Sequence, residues 1–239
     1  MSNPFLSIII PAHNEERRLP QTLEQVVHFA TNQAFETEVL VIENASHDQT
    51  LAVGNEYASR HAIVRVLHDD LPGKGRAVQK GMLAARGAYR FFADSDFSMP
   101  TAEITRFIPP AIDIPIAIAS REAPGAVRYH EPYYRHFTGR VFNNLIRILV
   151  LPALHDTQCG FKMFRADAAE DLFHRQTLMG WSFDVELLYI ASRRNYPILE
   201  IPIPWYFNPE SKINVFRDSW KMFLDLLKIR RNGRLGLYD

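Results

Sequence analysis

Two aspartates one residue apart, in Asp94-Ser95-Asp96, follow the apolar run Ala88-Tyr89-Arg90-Phe91-Phe92-Ala93. A carboxylate pair at the carboxyl end of a buried strand is poorly suited to a core. It is well suited to share a divalent cation with a diphosphate, because hard Mg²⁺ or Mn²⁺ prefers oxygen ligands and bridges phosphates to a few carboxylates. Taken alone, a solvated acidic turn is the commoner explanation of such a pair, so its neighbours decide the matter. Pro72-Gly73-Lys74-Gly75 opens a helix, where glycines allow close backbone approach and Lys74 adds a point charge for an anion. The Gly-x-x-x-x-Gly-Lys-Ser/Thr spacing of a P-loop is absent.

The elements that must position these residues alternate. Phe5–Ile10, Glu38–Ile42, Ala62–Leu67 and Ala88–Ala93 read as strands of the kind buried in a parallel sheet. Leu19–Thr31, a segment capped by Ser46 or Asp48 and running to Arg60, and Gly75–Arg86 read as helices. This order predicts a mainly parallel sheet with helices on both faces, an α/β fold in which ligands bind beyond the carboxyl ends of the strands. His13-Asn14-Glu15, Glu43-Asn44-Ala45-Ser46 and Asp94-Ser95-Asp96 all fall at such ends. That coincidence argues against an idle acidic turn. Further strands are expected at Ile114–Ala119, Gly160–Arg165 and Ile198–Ile203, with a helix at Phe183–Arg193. No repeat or linker is evident, so 1–239 is read as one domain.

Composition narrows the class. Acidic and basic residues balance at 27 each, which gives no global field for nucleic acid. The single cysteine, Cys159, rules out an intrachain disulfide and fits a reducing compartment, so a cytoplasmic location is expected. No Cys/His cluster has metal-site spacing. Met1-Ser2-Asn3-Pro4 enters a strand almost at once, so no signal peptide is expected, and no apolar stretch reaches the roughly 20 residues that cross a bilayer.

Six motifs in order, Pro11-Ala12-His13-Asn14-Glu15-Glu16, Val41-Ile42-Glu43-Asn44-Ala45-Ser46, Gly73-Lys74-Gly75, Asp94-Ser95-Asp96, Asp156-Thr157-Gln158-Cys159-Gly160-Phe161-Lys162 and Trp181-Ser182-Phe183-Asp184-Val185-Glu186, complete the pattern. The chain resembles the family-2-type inverting glycosyltransferases. The last two motifs resemble the polyprenyl-phosphate branch, which includes dolichyl-phosphate glucosyltransferases and mannose synthases, with the glucosyl enzymes closer. The resemblance implies a nucleotide-diphosphosugar transferase (GT-A, Rossmann-like) fold. It also implies transfer of a hexose, glucose first, from UDP-glucose or GDP-mannose to a polyprenyl phosphate with inversion, with Mg²⁺ or Mn²⁺ as cofactor.

It further implies roles. Pro11, His13 and Glu15 would line the nucleotide pocket, Glu15 reaching the ribose. Ile42 and Asn44 would sit beside the base, next to Glu43. Asp94, Ser95 and Asp96 would hold the metal–diphosphate, with Asp96 the main ligand and Ser98 an outer one. Lys74, Arg121 and Lys212 would balance phosphate charge. Asp156 or Asp184 would act on the acceptor. A phosphate acceptor is already largely ionised, its second pKa lying near about 6, so either carboxylate could merely position it. Either could also serve only as a helix or turn cap. The family often carries two aspartates where this chain has Glu43-Asn44, and commonly a tyrosine at His13. Where the mannosyl enzymes carry an arginine six residues before Lys212, this chain has Tyr206.

Two amphipathic segments bear on membranes. In the helix expected within 131–151, Phe137, Val141, Leu145, Ile148 and Leu149 fall on one face and His136, Arg140, Asn143 and Arg147 on the other. In 215–234, Phe216, Trp220, Phe223 and Leu227 form a stripe beside Lys228, Arg230, Arg231 and Arg234. Such helices usually pack on their own core. With a lipid-phosphate acceptor, peripheral contact with a membrane face, or with a membrane-anchoring partner protein, becomes the expectation. The rivals are a transferase acting on a hydroxyl acceptor and a non-catalytic nucleotide-sugar-binding subunit of a membrane partner.

Overall fold

A computed structural model describes residues 3–208 and 215–239. Strands β1 (Leu6–Ala12), β2 (Thr37–Asn44), β3 (Val64–Asp69), β4 (Tyr89–Ala93), β5 (Ile116–Ser120), β7 (Phe161–Arg165) and β8 (Ile198–Pro202) form one sheet in the order β3-β2-β1-β4-β7-β5-β8. All neighbours are parallel except β7, which runs antiparallel to both β4 and β5. A separate parallel ribbon pairs β6 (Val127–Tyr129) with β9 (Pro204–Tyr206).

The central strands are apolar on both sides because helices cover both faces. Ile8, Ile10, Val39, Val41 and Phe91 pack with α1 (Leu19–Thr31), α2 (Thr50–Arg60) and a 3₁₀ helix (Thr101–Phe107). Ile9, Leu40, Ile42 and Phe92 pack on the other face with α3 (Lys74–Ala84), α5 (Ala166–Phe173) and α6 (Phe183–Arg193). Helix α3 lies very close to the sheet. A Cβ at Gly81 would stand 2.4 Å from Ile9 Cγ2 and 2.8 Å from Ile42 Cγ1, so only glycine permits this approach.

The alternation read from the sequence is present, with the three polar segments at the carboxyl ends of β1, β2 and β4. Three short features lie outside the expected set: the 3₁₀ helix, α5, which follows β7 without a break, and the β6–β9 ribbon, whose three-residue strands show no alternation.

The amphipathic segments form α4 (Tyr133–Leu149) and α7 (Val215–Arg234), which contact each other. The expected single apolar face of α4 is divided. Leu145 and Leu149 pack on the core beside buried Ile146, whereas Val141 and Ile148 face outward, 55% and 81% exposed, with Tyr133 and Tyr134. Asn143, assigned to the polar face, is buried. On α7, Trp220, Leu224 and Leu227 are exposed, Leu226 and Ile229 are buried, and Phe223 is half-buried against Trp220. The side chains of Phe137 and Phe216 lie outside the described residues.

Candidate active site

The loop after β4 is held by two neighbouring segments and by a turn of its own. The Asp94 amide donates to Gly160 O at 3.0 Å, Thr22 Oγ1 of α1 donates to Ser95 O at 2.5 Å, and the Ser98 amide donates to Asp96 Oδ1 at 3.2 Å. Gly160, just before β7, makes room for the first carboxylate: a Cβ there would stand 1.9 Å from Asp94 Oδ2. On the other side, Lys74 Nζ, at the first residue of α3, lies 2.6 Å from Asp94 Oδ1 and 5.3 Å from the Trp181 ring centroid. Burial and the neighbouring Asp94 charge push the Asp96 carboxyl above its ordinary range. Burial works against the Lys74 ammonium, but Asp94, Asp184 and Asp96 outweigh it and leave the lysine more firmly charged than usual. Two hard carboxylates in a cradle shaped for one of them fit Mg²⁺ or Mn²⁺, which keeps waters and takes phosphate oxygens as further ligands. Among the described residues no cluster of three or more acidic, histidine or cysteine side chains could hold a metal unaided.

This acidic pair opens into a cavity of about 370 Å³. Glu15, Lys74, Asp94, Asp96, Arg121 and Asp184 line it, together with Arg18, Arg128, Trp181 and Trp205. Arg121, after β5, donates to Asp156 through its amide (2.9 Å), Nε (2.7 Å) and Nη2 (2.9 Å). Burial opposes the Asp156 charge, yet Arg121 outweighs it and draws the carboxyl down to about 2. Asp156 is fully buried, does not line the cavity, and also accepts the Gln158 amide. Its place is that of the partner that aims Arg121. Arg121 and Arg128 both lie on the Trp205 ring, at 5.5 and 5.7 Å from its centroid.

Asp184, at the start of α6, faces the cavity but is buried. It accepts from Lys162 Nζ at 2.7 Å, and Lys162 also donates to Cys159 O at 2.5 Å. Burial outweighs Lys162 and Lys74 and raises the Asp184 carboxyl. Within the stretch 156–162, one run of chain thus touches Arg121, Asp94 and Asp184. Glu186, two residues on, is fully buried and accepts from the Thr177 and Leu178 amides and from the Tyr238 hydroxyl, so it braces the loop that carries Trp181.

The nucleotide residues read from the sequence divide. Ile42 is fully buried under α3, so its side chain belongs to the core and not beside a base. The Asn44 amide is already engaged: its nitrogen donates to Leu71 O at 2.5 Å and its oxygen accepts the Gly73 amide at 2.7 Å, bracing the loop that leads into Lys74. Glu43 is buried, accepts the Ser46 amide at 2.7 Å and contacts His68. His13 Nδ1 donates to Asn44 O at 2.6 Å, which leaves Nε2 to accept from the Asn14 side chain. Both Glu15 oxygens accept from Arg18, at 2.7 and 2.9 Å. Pro11 is half-buried within β1, opposite Ile42, and the buried Ser95 contributes a backbone anchor. Lys212 lies outside the described residues.

Lys162 and Trp181 stood in quoted motifs without a role, and Lys162 could have been flagged as a lysine inside a strand expected to be buried. Arg18, Arg128 and Trp205 carry no such signal, because the fold brings them to the cavity from separate elements.

The profile of Glycosyl transferase family 2 matches residues 7–173. A dolichyl-phosphate beta-glucosyltransferase of Trichomonas vaginalis (ALG5D) is 34% identical over 98% of this chain and 75% of its own length. The dolichyl-phosphate beta-glucosyltransferase of Homo sapiens is 32% identical over 98% of this chain and 77% of its own length. Among solved structures, glucosyl-3-phosphoglycerate synthase from Mycobacterium tuberculosis with Mn²⁺, uridine diphosphate and phosphoglyceric acid superposes with a TM-score of 0.70 at 15% identity, covering 98% of this chain and 79% of that one. The same synthase with Mg²⁺ and uridine diphosphate gives a TM-score of 0.69 at 16% identity, covering 98% of this chain and 80% of that one. At such identity the likeness is one of fold, and the fold is the nucleotide-diphosphosugar transferase (GT-A) fold.

Proposed function

The chain belongs to glycosyl transferase family 2, and on that premise we propose that it transfers glucose from a nucleoside diphosphate, UDP first, to a dolichyl-type polyprenyl phosphate. The donor's anomeric centre inverts: an acceptor phosphate oxygen forms the new bond to C1 while the bond from C1 to the diphosphate oxygen breaks. A divalent cation on Asp94 and Asp96 would neutralise charge accumulating on the leaving diphosphate. The chain's own residues supply the rest. Lys74 offers a cation to the diphosphate, and Asp156 holds Arg121 ready for the acceptor phosphate or the leaving group. An acceptor phosphate already ionised at neutral pH leaves no proton to remove, so Asp184, fixed by Lys162, orients the acceptor.

One observation carries this reading. The acidic pair and Arg121 with Arg128 line one cavity, and α4 forms part of its wall through Phe142 and Asn143. The opposite side of α4 exposes Tyr133, Tyr134, Val141 and Ile148, and α7 adds exposed Trp220, Leu224 and Leu227 beside Lys221, Lys228, Arg231 and Arg234. We read these two helices as lying on an anionic membrane surface, where a lipid phosphate could enter the cavity without leaving the bilayer. No described helix is long and apolar enough to cross a membrane.

The test is incubation of the purified protein with UDP-glucose, a short-chain polyprenyl phosphate and Mn²⁺. A β-linked glucosyl lipid that disappears with a chelator is expected, with GDP-mannose a poorer donor. Failure to form glycolipid from either donor overturns the proposal. Asp184 supports a second reading, transfer to a hydroxyl, because a cavity-facing carboxyl raised by burial suits a general base. Under that reading Asp184→Asn loses about 10²–10⁴-fold in kcat and turnover needs no lipid.

A further inference from the structure

We propose that Lys74 stands in for the divalent cation at Asp94 until the donor arrives, so that metal and diphosphate enter together and metal alone is held off. This rests on the glycosyl-transfer reading of the cavity. Asp94 is fixed on one side, its amide bonded to Gly160 O and its Oδ2 seated where a Cβ at 160 would fall. Its other oxygen, Oδ1, meets the Lys74 ammonium at 2.6 Å. Both side chains are largely withdrawn from solvent, 18% exposed for Lys74 and 31% for Asp94, so this is a specific pair that salt screens less than a surface contact. A cation approaching Asp94 and Asp96 must displace that ammonium.

A free metal ion gains little by doing so. Two carboxylates leave most of its coordination positions to water, and the displaced lysine would remain beside a dication on a buried wall. A metal arriving on a diphosphate changes both terms. The diphosphate brings further oxygen ligands, and it gives Lys74 a new anion in place of Asp94. The Trp181 ring, 5.3 Å from Nζ, provides a face along which the ammonium can swing without losing all stabilisation. Lys74 thus acts first as counter-ion to the metal site and then as ligand of the substrate.

The experiment reads metal binding without turnover. Mn²⁺ alone is titrated into wild type and Lys74→Met, with free Mn²⁺ followed by electron paramagnetic resonance, and UDP binding is measured by calorimetry in the presence of Mn²⁺. Removing one positive charge from a partly buried site should tighten Mn²⁺ binding by about tenfold or more, while UDP binding weakens. Lys74→Gln should behave alike, which guards against misfolding of the first variant. In the Lys74→Met/Asp94→Asn double variant the gain in Mn²⁺ affinity should vanish, because the contest for Asp94 is gone. Mn²⁺ bound no more tightly by either single variant overturns the proposal. Failure of wild type to bind UDP with Mn²⁺ overturns instead the reading of the cavity on which it stands.

Discussion

Arg121 and Asp156 illustrate how one pair governs both the site and the pH response. Asp156 is fully buried and engages three Arg121 donors, so Asp156→Asn leaves a largely buried guanidinium without its counter-ion. We expect a loss of about 3 kcal/mol in chemical unfolding and a drop in kcat/KM larger than the loss of folded protein explains. The depressed Asp156 pKa carries a sign. Its contribution to stability is present above the unfolded value of 3.8 and is lost as pH falls toward about 2. Acid unfolding of wild type should therefore steepen below pH about 4, and Asp156→Asn should flatten that limb. Gly160→Ala should be as severe for a different reason. Its methyl would occupy the position of Asp94 Oδ2, moving the carboxylate and lowering kcat by about 10²-fold, as steady-state assays with Mn²⁺ would show. Ala45, at φ 51°, holds a left-handed backbone in the loop after β2. Ala45→Gly should raise stability by about 1 kcal/mol, read as a higher urea midpoint.

At the scale of elements, α4 and α7 have a double allegiance. Their inner sides hold the core and the cavity wall, and their outer sides expose aromatic and aliphatic groups beside basic ones. Replacing outward residues should leave folding nearly unchanged, within about 0.5 kcal/mol, because surface substitutions away from packed features cost little. We expect Ile148→Glu with Trp220→Glu to abolish sedimentation with anionic vesicles while a water-soluble short-chain acceptor is still glucosylated. Undiminished vesicle binding would remove the membrane role assigned to these helices. The sequence pattern located both helices but misassigned the faces of α4. Apolar residues at helical spacing show that a helix has a greasy side, not which of two greasy sides meets the core.

At the scale of the whole molecule, the parallel alternation and the placement of the polar segments at strand ends were legible, since buried strands with helices on both faces need uninterrupted apolar runs. The reversed direction of β7 was not, because a five-residue strand reads the same in either orientation. Nor were Arg18, Arg128 and Trp205, whose meeting at one cavity depends on the turn before α1 and on the pairing of β6 with β9, where Arg128 stands opposite Trp205. Ile42 and Asn44 show the opposite failure, in which motif position suggested a ligand contact while packing and bracing took those side chains elsewhere.

The stretch 156–162 has a consequence of its own. It grips the Arg121 guanidinium, shelters the Asp94 carboxylate and steadies Asp184 on α6, all from a single unbroken piece of backbone running into a strand wedged between β4 and β5. Such a keystone cannot shift at one end alone. Occupying either substrate's berth should therefore quieten the other, visible as slowed amide exchange across the whole stretch when only UDP and Mn²⁺ are supplied.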